Sequence, residues 1–285
     1  MIASLLIAFR EGIEASLIVG IVMGYLRKTG QTRYNRYAWA GVVAAVLLSI
    51  VVAVVITAVG VELEGTAEQI FEGVMMFIAV AMLTWMVFWM RFHSRTIKSS
   101  LEGALGAALR QGHPRSLFVT TFVAVLREGI ETALFISALA FGTDTSGTLL
   151  GAVLGLAVAA VVGYLIYVST VRLNLSQFFN VTSILLLVVA AGLFARGIHE
   201  FQEAHLLPTI NEHVWDINHV LSEDSTVGEV LKALVGYSAS PSAEQVAGYV
   251  GYLLFAVFAM PRLVTRQVDR STQRAALAHS HGAGD

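Results

Sequence analysis

The chain has 285 residues, 56% of them hydrophobic and only 13% charged, with a formal net charge of −2. A soluble domain is about 25% charged, so an ordinary water-soluble fold is excluded, and the near-neutral balance excludes a nucleic-acid partner held by a basic surface. There is no cysteine, which removes disulfides, zinc–thiolate sites, iron–sulfur clusters and thiol chemistry.

A membrane helix needs about 20 mostly apolar residues. Seven segments qualify: 2–26, 38–59, 68–90, 117–141, 148–168, 177–195 and 246–264. The chain therefore reads as an all-α polytopic membrane protein with seven transmembrane helices. The first segment has no basic leader and carries Arg10, Glu11 and Glu14 in mid-run, so it is expected to remain as a span rather than act as a cleaved signal peptide.

Basic residues alternate in side. Arg27, Lys28, Arg33 and Arg36 follow span 1; Arg91, Arg95, Lys98, Arg110 and Arg115 follow span 3; Arg172 follows span 5; Arg262, Arg266, Arg270 and Arg274 follow span 7. The positive-inside rule puts these in the cytoplasm. The expected location is the inner (cytoplasmic) membrane, with the N-terminus outside and the C-terminus inside. The opposite side is acidic, with Glu62, Glu64 and Asp144 in short loops and Glu200, Glu203, Glu212, Asp216, Glu223, Asp224, Glu229 and Glu244 before span 7. These acids either complement the basic inner side or form a vestibule that concentrates cations.

Residues 9–18 read FREGIEASLI and residues 126–135 read LREGIETALF. Weaker echoes keep the same order: Gly41 and Gly151 open spans 2 and 5, and QIFE at 69–72 matches QFFN at 177–180. Spans 1 and 4 run in opposite directions, so the pattern reads as an inverted 3+3 repeat plus one extra helix, a recurrent transporter plan with its site near the midplane. The implied division is a first repeat at 1–95, a cytoplasmic loop at 96–116, a second repeat at 117–195, an acidic extracytoplasmic segment at 196–245, span 7 at 246–264 and a cytoplasmic tail at 265–285.

An Arg or Asp at a helix centre costs about 2.5–3.5 kcal/mol on the insertion scale, and an ionisable group inside the membrane marks a functional site by default. At 100° per residue Arg10, Glu14 and Glu11 fall at roughly 0°, 40° and 100°, one polar face. Arg127, Glu128 and Glu131 repeat it. Arg10–Glu14 and Arg127–Glu131 are i,i+4 pairs able to meet. A clasp needs one Glu per Arg; here each motif has two, so the surplus acids are candidate metal ligands. Gly12, Ser16, Gly20 and Gly24, and on span 4 Gly129, Ala133 and Ser137, form small-residue flanks that permit close helix crossing.

Weaker candidates follow. Glu68 and Glu72 lie one turn apart at the outer end of span 3 and lead toward the motifs, or simply suit a helix start; Asn180 is the repeat counterpart of Glu72. In GIHEFQEAH at 197–205, His199, Glu200 and Glu203 share a helix face and form a possible outer metal-collecting site. Glu212, His213, Asp216 and His219 have helical spacing in what reads as a solvated amphipathic segment. Met82, Met86 and Met90 form an i,i+4 stripe that would suit Cu(I) but reads more simply as packing beside Trp85 and Trp89. His279 and His281 in the tail carry little alone.

The strong intramembrane candidates are all carboxylates, hard ligands that suit Mg, Ca, Mn and by extension Fe(III). No phosphate-binding G-x-x-x-x-G-K-[ST] loop is present, so the expected class is a secondary or partner-coupled transporter rather than an enzyme, with no permanently bound cofactor. Three features now come together: REGIE at 10–14 and 127–131; FEGV at 71–74 and LTWM at 83–86; and GIHEFQEA at 197–204. On these the chain resembles the oxidase-dependent iron permeases, a family of fungal high-affinity ferric permeases and bacterial permeases of elemental ferrous iron uptake. The resemblance implies that Glu11, Glu14, Glu128 and Glu131 are iron ligands or relays partnered by Arg10 and Arg127. It further implies that iron, as the ferric ion, is imported after delivery by a ferroxidase or periplasmic partner. Two alternatives are a transporter of another divalent ion such as Mn or Pb, and an intramembrane di-iron carboxylate enzyme, against which the lack of an intramembrane histidine argues.

Overall fold

The computed structural model describes residues 1–93, 97–110, 114–142, 144–168, 175–211, 213–223 and 225–259. Among these the chain is helical, without strands. The helices are α1 (Ile2–Lys28), α2 (Asn35–Glu62), α3 (Thr66–His93), α4 (Ile97–Arg110), α5 (Pro114–Gly142), α6 (Thr145–Val168), α7 (Leu175–Glu203), α8 (Thr226–Val235) and α9 (Ala243–Leu254). A π-helical turn, Phe255–Ala259, continues α9.

Seven of these helices overlie the expected spans, α1, α2, α3, α5, α6, α7 and α9; residues 260–264 of the last expected span lie outside the described residues, as do Arg95, Arg172 and the tail with its arginines, His279 and His281. Four stretches are both long and apolar enough to cross a membrane by length and composition: Thr32–Glu62, Thr66–Met90, Thr145–Ile166 and Asn180–Glu203. The motif helices α1 and α5 carry three ionisable residues each in mid-helix.

Three expectations change. The segment 96–116, read as a loop, contains α4, whose Leu105 and Ala108 pack with Val22, Leu26 and Leu117 of α1 and α5. The segment expected to begin the outer region at 196 is still helix, because α7 runs on to Glu203. The stretch carrying His213, Asp216 and His219 is not a helix; Asp216 instead accepts from the Asn218 amide at 3.1 Å, the usual turn role of an aspartate. Glu212 and Asp224 lie outside the described residues.

The main packing pairs are α1 with α6, α2 with α5, and α3 with α7. Small residues set the first two. Gly151, Gly155, Ala159 and Gly163 present a flat strip of α6 to α1, and Gly41, Ala45 and Ser49 present one of α2 to α5. In lipid no hydrophobic force joins helices, so close backbone approach and dispersion do it. At the centre of each crossing sits the glycine of a charged motif: a β-carbon on Gly12 would lie 2.6 Å from that of Ala159, and one on Gly129 would lie 2.8 Å from Ser49 Cβ and overlap its hydroxyl. Gly20 and Gly24 face open space, so only Gly12 and Ser16 of the expected α1 stripe make the contact.

The third pair is aromatic. Phe77 of α3 packs edge-on to Phe194 at 5.2 Å and against Phe201 at 5.3 Å, both on α7. Tyr252 of α9 stacks on Phe194 and shares a 2.7 Å hydrogen bond with Thr84 of α3. The outer faces of α2 and α6 leave Val43, Leu47, Ile50, Val54, Val153 and Val161 exposed, a surface suited to lipid. The motif segments of α1 and α5 meet in the core, where Ile7 and Phe135 of these helices pack with Met76, Leu83, Met86 and Leu186.

Candidate metal site

The two pentapeptides meet. Arg10 and Glu11 are essentially sealed, at 0% and 1% exposure, and Glu14, Glu128 and Glu131 are buried with them. Arg10 Nη1 donates to Glu11 Oε1 at 2.9 Å and Nη2 lies 2.9 Å from Glu14 Oε1. Arg127 Nε donates to Glu131 Oε1, also at 2.9 Å. Both i,i+4 pairs read from the sequence are made. The first motif departs from the expected one-acid clasp, because Arg10 holds both of its glutamates by one oxygen each.

What remains is a set of open oxygens. Glu11, Glu128 and Glu131 offer carboxylate oxygens that all lie within 4.8 Å of one another. The second oxygen of each, Oε2, is buried without a hydrogen-bond partner. A buried acceptor left unpaired costs about 1–3 kcal/mol, more when charged, so three in one place need a shared cation or shared protons. Oxygens about 2.0–2.2 Å from a metal are at most roughly 4.4 Å apart, so a spread within 4.8 Å is of the size one ion spans. Glu14, bound to Arg10, stands outside this closest group.

Helix α3 supplies the part that sequence reasoning missed. Arg10 Nη1 also donates to Met86 Sδ at 2.9 Å. The Arg127 guanidinium lies over the Trp89 ring, 4.6 Å from its centroid. Each arginine thus has a soft, neutral contact on α3 besides its carboxylates. The two are unequal: the Arg10 side chain is fully enclosed, and that of Arg127 is 41% exposed. The i,i+4 methionine stripe was the available signal, but methionine and tryptophan in an apolar helix carry no mark that separates site from packing.

A second group forms farther along α3 and α7. Helix α7 approaches α3 where a β-carbon on Gly73 would meet Phe201 and the Glu200 side chain. Glu72 is within electrostatic reach of Glu200, Glu68, Arg196 and Glu203. His199 Nε2 is 3.1 Å from Glu203 Oε1, and Gln69 donates to Glu203 Oε2 at 3.2 Å. The expected His199–Glu203 face is present, and Glu68, Glu72, Glu200 and Glu203 gather at one end of the helix pair. Among the described residues they do not form a compact ligand set of the kind Glu11, Glu128 and Glu131 make. Asn180 is exposed.

Several of the acids expected on the outer side have structural roles. Glu244 accepts from the Ile210 amide at 2.6 Å and from Gln202 at 3.1 Å; the Ile210 bond holds its carboxyl below the usual range. Burial pushes the Glu223 carboxyl up, but the Ala239 amide at 2.7 Å, the Ser238 hydroxyl at 2.9 Å and Lys232 at 3.3 Å hold it below that range. Asp144 is held low by the Gly147 amide and the Ser146 hydroxyl at the start of α6. These three acids are not a free vestibule.

The sequence pattern of the iron permease FTR1 family matches residues 1–271. This chain belongs to that family. The permease is 41% identical over 276 residues to the ferrous iron permease EfeU of Shigella sonnei strain Ss046, covering 95% of this chain and all of that one. It is 39% identical over 283 residues to the ferrous iron permease EfeU of Yersinia pestis, covering 98% of each. A protein named putative inactive ferrous iron permease EfeU, from Escherichia coli strain K12, is 41% identical over 276 residues. No solved structure matches the chain. Family membership supports a membrane transporter of iron rather than an enzyme.

Proposed function

We propose that the permease imports iron across the cytoplasmic membrane through the carboxylates of its two REGIE motifs. One observation carries this reading: three buried glutamate oxygens from two helices, without hydrogen-bond partners, in residues that converge within 4.8 Å. In this mechanism the cluster at Glu68, Glu72, His199, Glu200 and Glu203 collects the ion at the outer face. Glu11, Glu128 and Glu131 bind it at mid-membrane, Glu14 relays it, and Arg10 and Arg127 hold the charge balance. With four acids and two arginines the empty site is a net −2 when ionised, which a di- or trivalent cation neutralises. Inward movement of a cation gains about 2.3 kcal/mol per charge per 100 mV.

The reading takes the chain as seven spans with its N-terminus outside, built as two inverted three-helix units. The exchange of partners supports the repeat: the first helix of each unit packs on the second helix of the other, and the third helices pair. The inequality of the arginines gives a direction to the cycle. Arg127, partly accessible and backed by Trp89, is the one that swings away to admit or release the ion, while Arg10 stays fixed.

An all-carboxylate set favours ferric iron presented by a ferroxidase or periplasmic partner. One feature favours the ferrous ion: the Met86 sulfur accepts from the same Arg10 Nη1 that holds Glu11, and soft donors prefer the lower oxidation state. The test is uptake of radiolabelled iron into proteoliposomes, with Fe(II) and Fe(III) supplied separately at two pH values. Glu131→Gln is expected to abolish uptake while the protein inserts normally. Undiminished uptake by that variant would overturn the carboxylate mechanism. Lead or manganese entering unhindered by excess iron would instead mark the chain as a transporter of another metal.

A further inference from the structure

A cavity of about 530 Å³ opens between α7, α8 and α9, away from the carboxylate cluster. Its volume is that of a small-molecule site. One end is aliphatic, lined by Leu139, Val189, Leu193 and Val250; the other is polar and includes Arg196 and Lys232. The walls are fixed. A β-carbon on Gly192 of α7 would lie 2.6 Å from Gly236 Cα, and Gly236 caps α8 in the left-handed conformation at φ 67°, which favours glycine. The hollow is thus built into the fold by two glycines in backbone contact.

The donors at the polar end are not all used. Lys232 is 3.3 Å from Glu223, and Glu223 is otherwise taken up by Ser238 and Ala239. Arg196 makes no hydrogen bond or ion pair among the described residues, although Glu200 lies one turn on. It sits about 10 Å from the end of α7 by the helical rise. Glu200, Glu223, Glu72 and Glu203 act on it through space without a hydrogen bond or ion pair to it, so among the described residues the donors of this partly buried guanidinium are unmet, and its planar fork matches a phosphate or carboxylate.

We infer that this cavity binds an anionic amphiphile, its phosphate or carboxylate head on Arg196 and its aliphatic body along Leu193, Val189 and Val250. The ligand is separate from the transported cation, so the site stands or falls independently of the carboxylate mechanism.

Native mass spectrometry of the full-length purified protein tests it, with phosphatidylglycerol, oleate and phosphatidylcholine titrated in turn. Saturable binding of phosphatidylglycerol or oleate is expected at least tenfold tighter than binding of phosphatidylcholine. Phosphatidylglycerol alone identifies a phospholipid head as the source, and oleate alone a free carboxylate. Arg196→Gln should lose at least tenfold in affinity for the anionic ligand. Val250→Trp, which fills the aliphatic end, gives the same reading should Arg196→Gln fail to insert. Equal binding of all three lipids, no binding of either anion, or wild-type affinity in the variant overturns the inference.

Discussion

Gly12 and Ala159 face each other at the crossing of α1 and α6, with room for one β-carbon and not two. The contact lies between Glu11 and Glu14, so the backbone that carries the ligands is held by a helix of the other half. Gly12→Ala forces the pair apart, and overpacking of this kind costs typically 1–3 kcal/mol. Gly20→Ala, eight residues along the same helix and facing open space, is the control. Thermal unfolding in detergent should show a clear loss for the first and none for the second.

Arg10 and Arg127 are predicted to differ on removal. Arg10→Gln leaves Glu11 and Glu14 sealed without their cation, and breaking a buried pair this way costs about 3–5 kcal/mol. Arg127→Gln removes a side chain that is 41% exposed, where solvent screens the loss, so its stability should fall much less while transport falls strongly. Parallel unfolding and uptake measurements separate the two. Equal destabilisation would contradict the fixed and movable roles assigned above.

Met86→Leu keeps the volume of α3 and removes the sulfur that accepts from Arg10. A single hydrogen bond of about 1 kcal/mol corresponds to roughly a fivefold change. The expected result is a fivefold rise in KM for iron with expression unchanged, and a larger rise for Fe(II) than for Fe(III) if the sulfur touches the ion. Uptake kinetics with both forms of iron read this directly.

Glu223 makes the segment before α8 sensitive to acid. Its folded carboxyl titrates below the ordinary glutamate range because the Ala239 amide, Ser238 and Lys232 outweigh its burial. The stabilisation is therefore present above the unfolded value of about 4.3 and is lost as pH falls through the lower folded value. Hydrogen exchange at residues 237–239 should quicken over that window, and Glu223→Gln should flatten the pH dependence.

The sequence exposed the part of the site that violates its surroundings. Three charged residues inside an apolar run are unmistakable, and their spacing alone placed Arg10 on Glu14 and Arg127 on Glu131. Met86 and Trp89 stayed hidden because nothing in an apolar helix distinguishes a thioether or indole that meets a guanidinium from one that meets a leucine. Helix α4 was lost because Gly103 and Gly106 break up a short apolar face whose Leu101, Leu105 and Ala108 are spaced for a helix. The helical spacing of His199, Glu200 and Glu203 was legible, but the apolar criterion for a span stops at Arg196, so it did not show that these residues continue α7 without a break. Gly20 and Gly24 continue the small-residue period of Gly12 and Ser16, but the register that sets Gly12 on Ala159 and Ser16 on Gly163 brings Gly20 to the end of α6.

The partner that completes α1 is α6, which emerges from the ribosome only after α2, α3, α4 and α5. At about 5–20 residues per second, the first pentapeptide spends many seconds in the bilayer before its counterpart is even synthesised. During that interval its arginine and two acids have one another and, once α3 is made, the Met86 sulfur. Because Arg10 reaches Glu11 and Glu14 within α1 itself, the charge of the motif is partly offset by contacts that need no later helix.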